Sequence, residues 1–260
     1  MAASIIGGLL ESGHPATAIA AADPFPESLA RLREVAPVAV SADNAEAVDG
    51  ADVVILAVKP QVMAEAADSI AATLRGSGAV VISIAAGITV ASLRARLGED
   101  ISIVRCMPNT PSLLREGASG LYASAGTSDA QRDHAEHILA AVGTTRWVGS
   151  EAELDAITAL SGSGPAYFFL FMEAMIEAAV ELGLERETAT ALAQQTGLGA
   201  ARMALENEVD LAELRRRVTS PGGTTEGAVE SFERDGLRAI VNRAMRAAAD
   251  RAAQMAEEMG

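Results

Sequence analysis

Along the first 150 residues the apolar positions switch repeatedly between helical and strand periods. Ile5, Ile6, Leu9 and Leu10 form one helical stripe that stops at Gly13. Ala16 to Ala22 reads as a weak strand, and Pro26-Glu27 opens a helix with the stripe Leu29, Leu32, Val35. Val38 to Val40 is a short strand. Val53 to Val58 is apolar at every position, as a parallel strand covered on both faces is, and Lys59-Pro60 ends it. Val62, Met63, Ala66, Ile70 and Leu74 return to helical spacing; Gly76-Ser77-Gly78 turns the chain into a second apolar strand, Val80 to Ile84. Leu93 and Leu97 mark a helix, Ile101 to Cys106 a strand, and Ser128 with Gln131 a capping box for a helix running to Val142. Thr144 to Val148 is the last strand. This alternation predicts a doubly wound α/β domain with a parallel sheet.

After residue 150 the strand period disappears. Leu154–Leu160, Tyr167–Leu182, Glu187–Glu206, Leu211–Val218, Thr225–Phe232 and Leu237–Met259 read as helices, broken at Ser161–Pro165, Gly183 and Ser220–Gly223. Tyr167 to Val180 is apolar nearly all round, so it requires burial on several sides, and in so small a helical domain a second chain supplies the extra cover. The sequence therefore divides into an α/β domain, 1–150, and an all-α domain, 151–260.

Composition narrows the function. The 260 residues carry 20 basic and 35 acidic side chains, a net charge of −15. That balance opposes binding to nucleic-acid phosphates or anionic lipid. No apolar run reaches the roughly 18 to 20 residues of a membrane span. The opening stretch has no basic residue ahead of its apolar run, so it is not read as a signal peptide. A lone cysteine, Cys106, fits a reducing compartment, the cytoplasm, and reads as a buried small apolar residue.

Chemistry concentrates in three places. Val218 to Glu226 (VTSPGGTTE) combines a fixed proline, two permissive glycines and a helix start with two hydroxyls. Such a start suits an anion, for example a carboxylate; a plain helix-helix turn with a threonine cap is the equal alternative. Ala57-Val58-Lys59-Pro60, Ala85-Ala86-Gly87 and the Met107–Pro111 loop with Asn109 each follow a strand, where open α/β sheets bind ligands, and their small residues let a flat cofactor approach. Leu160 to Tyr167 (LSGSGPAY) reads as a close-packed hinge, not the G-x-S-x-G elbow of hydrolases. His134 and His137 share a helix face but read as solvated, and no metal is expected. Asp23 ends a strand where an acid can hold a ribose hydroxyl, and Asn44 opens a short helix, with a plain helix cap as its alternative role.

Taken together, SIIGGLL (Ser4–Leu10), AVKP (Ala57–Pro60), AAG (Ala85–Gly87), MPNTP (Met107–Pro111), LSGSGPAY (Leu160–Tyr167) and VTSPGGTTEGAV (Val218–Val229) resemble pyrroline-5-carboxylate reductase, in that family's order and over nearly the whole chain. The resemblance implies a Rossmann-like NAD(P)-binding domain followed by a helical dimerisation domain, a homodimer, and in many members a decamer. It implies reduction of 1-pyrroline-5-carboxylate to L-proline by NADPH or NADH, the last step of proline biosynthesis. It assigns the cofactor to Asn44, Ala57, Val58, Lys59, Pro60, Ala85, Ala86, Gly87 and Asn109. It assigns the substrate carboxylate to Ser220, Gly222, Gly223, Thr224 and Thr225, with the Thr225 hydroxyl as proton donor or imine anchor. The family begins with a strand and a G-x-G-N loop just before the methionine matched by Met1. The expectation is therefore a sheet without its first strand, with a gap between the second and fourth, and a weak hold on the pyrophosphate. The rivals are a non-catalytic dimeric homologue that binds proline-like ligands and a reductase of another cyclic imine acid.

Overall fold

The computed structural model describes residues 1–259. In chain order the elements are α1 (Ala2–Glu11), β1 (Ala20–Ala22), α2 (Pro26–Val35), β2 (Ala39–Ser41), α3 (Asn44–Val48), β3 (Val53–Leu56), α4 (Met63–Leu74), β4 (Val80–Ser83), α5 (Val90–Leu97) and β5 (Ser102–Met107). There follow β6 (Gly117–Ala123), α6 (Asp129–Ala140), β7 (Gly143–Trp147), α7 (Glu153–Ile157), α8 (Gly164–Glu181), α9 (Arg186–Glu206), α10 (Leu211–Arg217), α11 (Thr224–Arg234) and α12 (Leu237–Met259). Two compact units result: Met1–Ser163 joined by the chain from Ala247 onward, and Gly164–Arg246.

In the first unit β1 pairs with β2, and β3 to β7 form a second sheet in that order. Among the described residues no ladder joins β1 to β3. The expected parallel pairing holds for β1–β2, β3–β4, β4–β5 and β6–β7. The exception is β6, which runs antiparallel to β5 with Cys106 opposite Leu121. Ala16–Ala18 is a short 3-10 turn rather than the start of a strand, so only Ala20–Ala22 pairs.

The five-stranded sheet is covered on both faces, as the apolar runs require. Val54, Leu56, Val81 and Ile103 face α4 and α5 through Met63, Ile70, Leu74, Leu93 and Leu97. Val80, Ile82, Val104, Cys106 and Leu121 face α1 and α6 through Ile5, Leu9, Ala135 and Leu139. Each fully buried side chain of this kind stabilises the fold by about 1.5–3 kcal/mol. Val53 and Ile55 are only half-buried, because β3 is an edge of its sheet. The small β1–β2 sheet packs through Ala21 and Val40 with Ile6, Leu10 and Leu32 of α1 and α2. Ser128 and Gln131 form the expected capping box at the start of α6.

The predicted break at Ser161–Pro165 is instead a wide helical turn. Thr158–Gly162 is π-helical, with the Ser163 N–H reaching the Thr158 carbonyl at 2.8 Å. Pro165 follows as the second residue of α8, in the first turn, where its missing N–H removes no helical bond. Gly162 is held close: a Cβ there would lie 2.6 Å from Met107 Cε.

In the second unit α9 packs on α8 through the buried Ala189 and Ala193. Gly183, at φ +102°, ends α8 as the sequence predicts. Beyond α9, Phe171 of α8 meets Phe232 of α11 with ring centroids 6.0 Å apart, and much of the rest of the helix is left open to water. Phe168 is 71 % exposed, Phe169 64 % and Leu170 65 %. Among the described residues no helix is long and apolar enough to cross a membrane.

Candidate active site

Because β3, β4 and β5 are parallel neighbours, the segments that leave their carboxyl ends lie along one edge of the sheet. This brings Ala57–Pro60, Ala85–Gly87 and Met107–Pro111 together, as the strand pattern predicts. Lys59 is exposed at this edge and is the only lysine in a chain that otherwise uses arginine. Among the described residues it forms no ion pair.

Three residues assigned to the cofactor are engaged with the chain itself. Asn109 Nδ2 donates to the Ser161 carbonyl at 3.0 Å, while its Oδ1 accepts the Ala118 N–H at 2.9 Å. Both ends of the amide thus tie the Met107–Pro111 loop to β6 and to the π-helical turn. Gly87, at φ +75°, is approached by the last helix: a Cβ would lie 2.8 Å from Met259 Cε and 3.2 Å from Met255 Cβ. Its smallness therefore serves helix packing, whatever else the loop holds. Asn44 is the first residue of α3 and not its cap. Asp43 caps the helix, accepting from the Ala45 and Glu46 amides, and Asn44 Nδ2 donates to Ser69 Oγ at 3.0 Å. Asp23 follows β1, where its carboxylate accepts the Phe25 N–H at 2.8 Å.

Beside the loops is a charged group that the sequence pattern does not single out. Arg105, with 9 % of its side chain exposed, rises from β5 and pairs with Glu151 at 2.8 Å. The same Glu151 oxygen accepts the Val90 N–H at 2.7 Å, placing an anion at the first turn of α5. A charge inside the run Ile101–Met107 is the signal that could have found it, since a buried cation needs a partner. Asp155, one turn beyond Glu151, has its carboxyl raised above the ordinary range, first by burial, with Arg105 opposing and Glu151 adding. Folded Asp155 thus holds its proton at higher pH than the unfolded chain does. Its ionisation costs stability as pH rises above 3.8. Asp155→Asn should raise Tm at neutral pH by a few degrees at most. Melts across the acid range should show the gain vanish below that value, and a constant offset would refute the linkage.

Cys106 is 3 % exposed, and its thiol is pushed up to about 12 by burial, with a hydrogen bond to Ser119 acting the other way. This matches its reading as a packing residue. His134 and His137 are exposed on α6.

In the second unit, Val218 to Gly223 form the turn between α10 and α11. Gly222 takes φ +71°, and Gly223 is the N-cap of α11 with no side chain capping the helix. A Cβ on Gly223 would come within 2.9 Å of the Ser220 carbonyl oxygen. Thr224 and Thr225 are therefore the first two helical residues, exposed, at the positive end of the α11 dipole. Glu226, to which the sequence reading gave no role, turns back so that its carboxylate accepts the Gly222 N–H at 2.6 Å. A glutamate three residues after an N-cap is the capping-box signal for such a contact.

A family model described as pyrroline-5-carboxylate reductase dimerisation matches residues 151–255. One described as NADP oxidoreductase, coenzyme F420-dependent, matches residues 1–87. The pyrroline-5-carboxylate reductase of Pseudomonas aeruginosa is 55 % identical over 260 residues, covering all of this chain and 95 % of its own length. The chain belongs to the pyrroline-5-carboxylate reductase family. The solved structure of the family member from Coxiella burnetii is 44 % identical and superposes with a TM-score of 0.95, covering 98 % of this chain and 94 % of that one. The Plasmodium falciparum pyrroline carboxylate reductase, solved with NADP bound, is 27 % identical with a TM-score of 0.83, covering 97 % and 93 %. Membership of the pyrroline-5-carboxylate reductase family gives the exposed apolar faces of α8 their meaning, since that helix lies inside the matched dimerisation domain.

Proposed function

We propose that this chain reduces 1-pyrroline-5-carboxylate to L-proline with NADPH or NADH. In this reading it acts in the cytoplasm, as a homodimer or a higher homo-oligomer such as a decamer. The observation that carries the reading is the 55 % identity, across the whole chain, to the P. aeruginosa enzyme.

The loops of the first unit suit a dinucleotide. Ala57, Ala85 and Ala86 are small enough to leave the sheet edge open to a flat ring, and Lys59 is an unpaired cation for a phosphate. We assign the cofactor to Asn44, Ala57, Val58, Lys59, Pro60 and the Ala85–Gly87 backbone, with Asn109 shaping the third loop. Bound NAD(P)H supplies the hydride that reduces the C=N carbon. The rest is the work of positioned groups. The N–H groups at the start of α11, with Ser220, Gly222, Gly223 and Thr224, hold the substrate carboxylate. The Thr225 hydroxyl bonds to the ring nitrogen, which takes up a proton as the C=N electron pair settles on it.

Two measurements test this. Purified chain should consume NADPH only when 1-pyrroline-5-carboxylate is present and should form proline in equal amount. Cofactor binding without turnover would instead identify a non-catalytic homologue. Sedimentation at micromolar concentration should show no folded monomer, because Phe168, Phe169 and Leu170 are left open to water in a single chain. A stable compact monomer would overturn the assembly.

A further inference from the structure

We infer that the Arg105–Glu151 ion pair is a positioning device for the Ala85–Gly87 loop, fixing that loop as a seat for the cofactor. The inference rests on the assignment of that loop to NAD(P)H. Arg105 lies on β5 directly opposite Ser83, the last residue of β4 before the loop. At the loop's start the Ala85 N–H faces the Ser83 hydroxyl at 3.5 Å, and Ile84 is tied to β3 through the Leu56 carbonyl at 3.2 Å. At its end Thr89 caps α5 by accepting the Ser92 N–H at 3.1 Å, and Val90 donates to Glu151. Glu151 comes from the segment after β7, remote in sequence, and it is the Arg105 guanidinium that holds its carboxylate on the Val90 N–H. The pair therefore locks the exit of a short loop whose entrance is already fixed by the sheet.

A burial role alone would call for an apolar pair at this spot, since ion pairs in such places are often replaceable without loss of stability. The second bond, to Val90, is what an apolar pair would lack. The double variant Arg105→Met with Glu151→Met separates the two roles in the full chain, because it strands no charge. The amide of Val90 should exchange with solvent faster than in the parent. NADPH should bind about fivefold or more weakly by calorimetry, with its KM raised to match. The KM for 1-pyrroline-5-carboxylate should stay unchanged. Arg105→Lys, which keeps the charge opposite Glu151, should restore most of the NADPH affinity. If the double variant does not fold, Arg105→Met alone, which leaves a partly solvated carboxylate, should shift NADPH binding in the same direction. A folded variant that binds NADPH as the parent does overturns the inference, and so does unchanged exchange at Val90. A parent chain that binds no NADPH refutes the functional reading instead, and the Val90 exchange then decides the clamp by itself.

Discussion

Thr225→Ala should lower turnover of 1-pyrroline-5-carboxylate roughly a hundredfold and leave NADPH binding as it is, the usual cost of removing one positioned donor. Thr225 is the second residue of α11 and is exposed. Among the described residues its hydroxyl has no partner within the chain, whereas the nearby Thr219 hydroxyl is spent on the Arg215 carbonyl at 2.7 Å. Losing the Thr225 oxygen therefore breaks no bond that holds the fold. An effect on kcat greater than on the NADPH dissociation constant is the signature of an interaction made with the reacting substrate. Thr224→Ala is the control: it should raise the KM of the substrate more than it lowers kcat. Steady-state kinetics on both variants decide the matter, and unchanged turnover would remove Thr225 from the mechanism.

The second large effect concerns stability. Glu151→Ala leaves the Arg105 charge buried without its counter-ion and the Val90 N–H without an acceptor. Breaking a buried pair from one side costs about 3–5 kcal/mol. The lower end applies here, since Glu151 keeps 30 % of its side chain exposed and water can reach the gap. Denaturant unfolding should show the loss as a lower midpoint with an unchanged slope. Replacing both partners by methionine should cost much less, and equal losses for the single and double variants would refute the account.

The sequence pattern located most elements within a few residues because each has an apolar face that must be buried. It passed over β6 entirely. Gly117–Ala123 (GASGLYA) is poor in β-branched residues, and its strand form comes from lying between β5 and β7, where ladder bonds on both sides override weak propensity. Small residues are required there by packing: Gly120 faces Ile157, whose side chain would lie 2.7 Å from an added Cβ. The site motifs were legible as loops at strand ends and as a glycine-rich helix start. What each side chain touches was not. Asn109 looked like a ligand residue and proved to be a clasp, and Gly87 looked open and proved to lie under α12. Both facts depend on contacts across long stretches of sequence, which no local period records.

Cys106 gives this protein a built-in clock. Burial holds its thiol well above the ordinary value of 9.0 and keeps it 3 % exposed, so the reactive thiolate is scarce at neutral pH and shielded from reagent. Alkylation must therefore wait for the sheet to open around β5. The rate at which a thiol reagent marks the chain reads the population of the opened form at low reagent and the frequency of opening at saturating reagent, with no engineered probe. Because Leu121, opposite Cys106 on β6, is fully buried, the openings it counts are those of the sheet between β5 and β6, not the fraying of its edges.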